Sequence, residues 1–345
     1  MRRVIGGMTP KPVPIVVAEA LKALEWNLGD PKGYPVVEDM IGRVVSETSK
    51  AVLGAGYPGW VTSGTSESTI LALLYARRQG KKRVVRFASS HYSVAKAAEI
   101  LGMELATLPV RDGYESNVSM LEDTVTGDDV VVVTVGTTEA GWVDDVNAAA
   151  EIARRRGALV YVDAAFAGYV ARYTCPRKAP RILDETVYAL AVDAHKVPEA
   201  PMTLGVLLSW SEDMIEDLFW DAPYIPSRRQ FGLLGTRPAL GLAGAVEAFR
   251  VVERRWGGFK QLARDLMDAA SRITRELGEY YTVRHPLETP ILCLEPRGFD
   301  AHERLEALGY RAYRCLGQGI RLPVMPHTLD EMDDLIQVLR RAAEG

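Results

Sequence analysis

The chain has 345 residues, of which 48% are hydrophobic and 25% charged, with a formal net charge of −4. That length allows more than one domain and a sizeable core, and the weak acidic balance excludes the electrostatic footprint of a nucleic-acid binder. No apolar run approaches the roughly 20 residues of a spanning helix, and the opening MRRVIGGMTPKPVP lacks the apolar stretch of a signal peptide, so a cytoplasmic protein with no membrane partner is expected.

In chain order, residues 1–50 read as an N-terminal arm followed by a helix. The first 35 are rich in Pro and Gly, and VVEDMIGRVVSETSKAVLG has apolar positions at helical spacing. Residues 51–240 read as a large domain. KRVVRFAS precedes the helical SVAKAAEILG, and VVVVTV precedes VNAAAEIARRRG. The strand-like ALVYVD, VYALAVD and TLGVLLS follow. This alternation predicts an α/β fold, a mostly parallel buried sheet with helices on both faces. Residues 211–240 carry Trp, Pro and Arg without clear period and read as a loop-rich connection. Residues 241–345, with two long amphipathic helices and then TPILCLEP, DAHERLEALG, GIRLPVM and a last helix, predict a small α+β domain.

Some matches carry nothing. GAGYPG (Gly54 to Gly59) fits GxGxxG, but it follows a helical segment, and Pro58 obstructs the helix that a dinucleotide site would open. His285, His302 and His327 show no metal-ligand spacing. Cys175, Cys293 and Cys315 are odd in number and far apart, with no CxxC, so neither a zinc site nor a disulfide framework is expected. Asn and Gln total eight and Arg outnumbers Lys 31 to 10; few amides suit a hot environment, although the Arg bias can also reflect base composition.

Five features remain, each at a strand end. VTSGTSEST (Val61 to Thr69) turns through small residues into a helix; such a start binds phosphate, but an ordinary N-cap looks the same. His91 in SSHYSVAKAAEILG either stacks on a planar ring or caps its helix. Gly136, Thr137 and Thr138 end the valine strand, where open α/β sheets bind ligands. Asp163 ends LVYVD, followed by two alanines that leave room for something flat. Lys196 ends the stretch VYALAVDAHK, where a buried ammonium is costly unless paired or chemically converted. Pyridoxal phosphate uses all five: a lysine for its Schiff base, an acid facing the pyridine nitrogen, a phosphate cradle, and a surface on each ring face.

The chain resembles the group II pyridoxal-phosphate decarboxylases of fold type I, and most closely the archaeal tyrosine/aspartate decarboxylases. The resemblance rests on NLGDP, TSGTSES, SSHYSVAKAAEILG, GTTEAGWVDDV, YVDAAFAGY, DAHKVPEAP, LLGTRPA and IRLPVMPHT, in that order from about residue 27 onward. It implies a seven-stranded-type sheet, with Lys196 forming the aldimine and Asp163 pairing with the pyridinium. His91 and Ala165 would lie on opposite ring faces. Gly64, Thr65 and Ser66 would hold the phosphate, with Ser93, Asp193 and His195 nearby, and Thr137 or Thr138 would lie near the phenolic oxygen. Thr236 looks like the position that reaches a neighbouring subunit's phosphate, which implies a homodimer with its site at the interface. The family usually reads SGGTEAN where this chain reads SGTSEST, which leaves the phosphate partners open, and Ala167 replaces a usual Gly.

The implied reaction is decarboxylation of an L-amino acid: L-aspartate to β-alanine for coenzyme A, or alternatively L-tyrosine or L-glutamate. Tyr224, on a loop 28 residues after Lys196, or His195 would reprotonate the α-carbon. Arg237 or Arg321 would bind a substrate carboxylate, or serve only as a salt bridge. Rival readings are another pyridoxal-phosphate lyase, a cysteine desulfurase using Cys175, and a non-catalytic relative of the fold.

Overall fold

The computed structural model describes residues 3–283 and 286–345; His285 lies outside them. Its centre is a seven-stranded sheet. In chain order its strands are β1 (Gly59–Thr62), β2 (Arg83–Phe87), β3 (Glu104–Leu108), β4 (Asp129–Thr134), β5 (Leu159–Asp163), β6 (Val187–Asp193) and β7 (Gly205–Ser209). Their order across the sheet is β1-β7-β6-β5-β4-β2-β3. Only β7 runs against its neighbours β1 and β6, and the other pairings are parallel. The six remaining strands therefore deliver their carboxyl ends to one rim.

The valine-rich strands are apolar throughout because both faces are covered. Along β4, Val130 and Val132 pack with the helices Thr65–Arg78 and Tyr92–Leu101, while Val131 and Val133 face the opposite layer. That second layer holds the helices Pro35–Leu53, Val146–Arg156 and Leu240–Trp256. Leu240–Trp256 packs against both Pro14–Leu21 and Pro35–Leu53. The N-terminal strand Arg3–Ile5 pairs in parallel with Tyr310–Ala312, so the arm is bound to the C-terminal part of the chain.

That part is an antiparallel sheet in the order Tyr281–Thr282, Ile291–Pro296, Gly319–Pro323, Arg314–Cys315. It corrects the reading of the cysteines: Cys293 and Cys315 form a disulfide, with Cα atoms 5.8 Å apart. The two cysteines lie on the strands that flank Gly319–Pro323. A Cβ at Gly319 would come within 2.8 Å and 3.0 Å of the two sulfurs, so glycine makes the room. Sequence spacing could not reveal this, because the sheet creates the proximity. The bond closes a loop of 22 residues, and the double variant Cys293→Ser/Cys315→Ser is expected to lose roughly 3 kcal/mol of unfolding free energy. Denaturant titration of the oxidised protein and the variant checks this. No described helix is long and apolar enough to cross a membrane.

Candidate active site

At the carboxyl end of β1 the chain turns through Ser63 and Gly64 into the helix Thr65–Arg78. Gly64 has φ of 140°, a conformation that favours glycine. Gly205 on β7 lets this turn lie close, since a Cβ there would sit 2.7 Å from the Gly64 Cα. The Thr65 amide and hydroxyl donate to Asp193 Oδ1 at 2.7 and 2.9 Å, tying the turn to β6. Ser66 also lines the cavity at this helix start, where backbone N–H groups point at an anion.

After β2, His91 takes the capping role that the sequence allowed. It caps the helix Tyr92–Leu101, with Nδ1 3.3 Å from the Ser93 amide and 2.8 Å from its hydroxyl, and it also lines the cavity. Burial, then the Lys196 charge, push its imidazole down to about 4. A neutral ring at working pH can lie against a cationic heterocycle without repulsion. Between the free value of 6.5 and about 4, the native state binds fewer protons here than the unfolded chain. The associated stability is therefore present above 6.5 and lost as pH falls towards 4. NMR titration of the cofactor-free protein is expected to show the His91 ring titrating well below its free value of 6.5.

After β4, Thr134, Gly136 and Thr138 line the cavity. Thr137 does not; its hydroxyl accepts from the Trp142 amide at 3.0 Å. The Thr134 hydroxyl is buried without a partner, a cavity group that the sequence reading missed, although a polar residue closing a valine strand was a visible signal. At the end of β5, Asp163 Oδ1 accepts from the Ala165 amide at 3.1 Å. Burial raises its carboxyl, outweighing the opposing Lys196 charge. After β6, Lys196 Nζ stands 3.0 Å from Asp193 Oδ2. Burial works to raise the Asp193 carboxyl, but the charges of Lys196 and His195 and the hydrogen bonds of Lys196 and Thr65 hold it below the ordinary range. The lysine is thus paired with one buried carboxylate, Asp193, and its charge reaches a second buried carboxyl, Asp163. His195 lies beside it, with Nδ1 2.8 Å from the Leu204 carbonyl and Nε2 3.7 Å from Asp193.

Gly64, Thr65, Ser66, His91, Ser93, Thr138, Asp163, Ala165, Asp193, His195 and Lys196 thus meet around one cavity of about 250 Å³. Met8 from the N-terminal arm lines it too, which no local pattern announced. Besides Thr137, five sequence candidates lie elsewhere. Tyr224 is 84% exposed, on the hairpin of Phe219–Asp221 and Arg229–Phe231. Thr236 is exposed and does not line the cavity. Arg237 is a correction: its guanidinium is buried against Glu67 at 3.2 Å, so it stands as an ion pair and not as a free cation for substrate. Arg321 opens onto an adjoining compartment that shares His91 and Thr138 with the cavity. Cys175 is half-buried and does not line the cavity, and burial raises its thiol, which does not favour the thiolate a desulfurase needs.

The donor set fits pyridoxal 5′-phosphate. It offers one amine, a buried carboxyl with a single backbone partner, an unpartnered threonine hydroxyl and a glycine turn opening a helix. These features, on the rim of a mostly parallel sheet, define a fold type I pyridoxal-phosphate enzyme. The comparisons narrow the class. The pyridoxal-dependent decarboxylase conserved domain matches residues 35–233, and the chain belongs to that family. A Halobacterium salinarum protein named probable L-aspartate decarboxylase is 32% identical over 336 residues, covering 96% of this chain and 93% of its own. The L-aspartate decarboxylase of Thermococcus kodakarensis is 28% identical, covering 99% and 92%. A Methanosphaerula palustris protein named probable L-tyrosine/L-aspartate decarboxylase is 32% identical, covering 79% and 76%. Among solved structures, the Lactobacillus brevis glutamate decarboxylase aligns with a TM-score of 0.83 at 19% identity, covering 99% of this chain and 88% of its own. The protein is a pyridoxal-phosphate-dependent amino-acid decarboxylase.

Proposed function

We propose that the substrate is L-aspartate and the product β-alanine. The observation that carries this reading is the compartment beside His91, which Arg86 and Arg314 line together with Arg321, whose guanidinium has no carboxylate partner among the described residues. Its Nε donates to the Gly6 carbonyl at 3.1 Å, and its charge is felt at His91. The names of the halobacterial and Thermococcus relatives support the same substrate. The methanogen relative's name admits tyrosine as a second reading.

Pyridoxal phosphate, when bound, supplies the electron sink that decarboxylation requires. In this proposal Lys196 anchors it and Asp163 faces its ring nitrogen, where a cationic N–H would bring that raised carboxyl back down. His91 and Ala165 would bound the ring, and Gly64, Thr65 and Ser66 would take the phosphate, with Ser93 fixing His91. Thr138 would serve the ring's phenolic oxygen. His195 is the group of this chain placed to return a proton to the α-carbon, and Tyr224 is assigned to a neighbouring subunit's site, as is Thr236.

This requires a homodimer. The apolar residues exposed on and beyond the helix Pro14–Leu21 (Ile15, Leu21, Leu24), together with Leu233 and Leu234, support one. Light scattering is expected to give twice the chain mass, and a fully active monomer would refute the dimer. The substrate test is amine release by cofactor-loaded protein across aspartate, glutamate and tyrosine. β-Alanine from aspartate is the expected result; tyramine without β-alanine would overturn the substrate assignment.

A further inference from the structure

Beside the cavity, and sharing His91 and Thr138 with it, lies a compartment of about 500 Å³. It is walled by the end of β2, by the turn after β4 and by the hairpin Arg314–Cys315/Gly319–Pro323. Three guanidinium groups line it, from Arg86, Arg314 and Arg321. None has a carboxylate partner among the described residues. Arg86 Nε donates to the Thr107 hydroxyl at 3.3 Å, Arg314 donates to the Gln318 amide oxygen at 2.8 Å, and Arg321 lies over the Tyr313 ring at 4.6 Å. The lining carboxylate, Glu139, accepts from the Leu316 amide at 3.0 Å, and its charge reaches Arg321 without forming an ion pair.

Two further groups point to an anionic ligand. Ser89 and Ser90 line the same space, and the hydroxyl of each is buried without a partner. Ser90 is 8% exposed. A buried hydroxyl without a partner loses its hydration for no return, so its presence calls for a ligand. Burial also holds the Arg86 guanidinium below its ordinary value, and no charge offsets it.

We propose that this compartment binds the substrate's second carboxylate, with Arg86 and the Ser90 hydroxyl determining specificity for a short dicarboxylic amino acid. The inference rests on the reading of L-aspartate as substrate and deepens it. Arg321, the arginine whose charge reaches His91, takes the nearer carboxylate, and Arg86 the farther one. A side chain lacking the acid would leave Arg86 and Ser90 unpaired, a stronger rejection than a change of shape gives.

The test uses the holoenzyme as wild type, R86L, R86K and S90A. It reads kcat and KM for aspartate, and by calorimetry the binding of succinate and butyrate, a diacid and a monoacid without the amine. R86L is expected to raise the aspartate KM about 10- to 100-fold, with the larger part of the loss in KM, and to weaken succinate equally. R86K should recover part of both, and butyrate should change least. S90A should raise KM and the succinate Kd several-fold with no loss of melting temperature. Unchanged succinate binding in both R86L and S90A would overturn the proposal. Wild type that turns over tyrosine and not aspartate would overturn the substrate reading alone. The anion site would then stand on succinate binding lost in R86L and fall if wild type binds no succinate.

Discussion

Lys196→Ala is expected to lower the release of amine and carbon dioxide by on the order of 10³-fold or more. Among the described residues Lys196 is the one lysine that lines the cavity, so no other lysine there replaces its amine. The same substitution removes the cation that faces two buried carboxylates, Asp193 at 3.0 Å and Asp163. It also removes a charge that lowers His91. The His91 imidazole should therefore move up towards 6.5, and the Asp163 carboxyl should rise further. Lys196→Arg separates the two roles. It restores a cation, so the His91 titration should stay low, but it lacks the reactive amine, so turnover should remain lost. NMR titration of both cofactor-free variants beside an assay of the loaded ones makes the comparison. Turnover retained in either variant would remove Lys196 from the chemistry.

The central strands were legible because burial on both faces leaves an unmistakable trace. VVVVT and VYALAVD admit no polar residue until the rim, and there the first polar residues, Thr134 and Asp193, face the cavity. For the same reason Asp163 and Lys196 could be singled out: Asp163 closes such a run and Lys196 comes three residues after Asp193 closes another, whereas His91 was marked by its place between a strand and a helix. Elements made by distant partners left no such trace. β3 is an edge strand, ELATL, largely exposed and without alternation. Arg3–Ile5 becomes a strand only by meeting Tyr310–Ala312. The Cys293–Cys315 bond depends on both cysteine strands flanking the strand that starts at Gly319.

NLGDP shows a motif whose purpose is bracing. The Asn27 side chain accepts from the Gly29 amide at 2.8 Å and the Arg237 amide at 3.3 Å. Asp30 accepts from the Ser227 amide at 3.0 Å. These bonds tie the N-terminal segment to the stretch carrying Tyr224, Thr236 and Arg237. A resemblance in sequence marks such residues as part of the family pattern without telling a brace from a ligand contact.

Arg237 is where that distinction has the largest measurable effect on stability. Its guanidinium donates to both Glu67 oxygens at 3.2 and 3.4 Å and to the Phe231 carbonyl at 3.3 Å, while its Nε is buried without a partner. Glu67 in turn accepts from the Ser63 amide at 2.6 Å, the Ser63 hydroxyl at 2.8 Å and the Leu233 amide at 2.9 Å. The pair therefore joins the turn that opens the helix Thr65–Arg78 to the segment 231–237. Removing one member of a buried pair costs about 3–5 kcal/mol. The two removals should differ. Arg237→Ala leaves a carboxylate with three hydrogen bonds, so its cost should fall near the lower end. Glu67→Ala leaves a buried guanidinium with only the Phe231 carbonyl and frees the Ser63 and Leu233 amides, so its cost should fall near the upper end. Both should also weaken cofactor binding, because Ser63 and Gly64 shape the turn beside Thr65 and Ser66. Denaturant unfolding of the cofactor-free variants and pyridoxal-phosphate titration measure the two effects. A substrate-binding arginine would instead raise KM and leave unfolding unchanged, and that outcome for Arg237→Ala would refute its role as a brace.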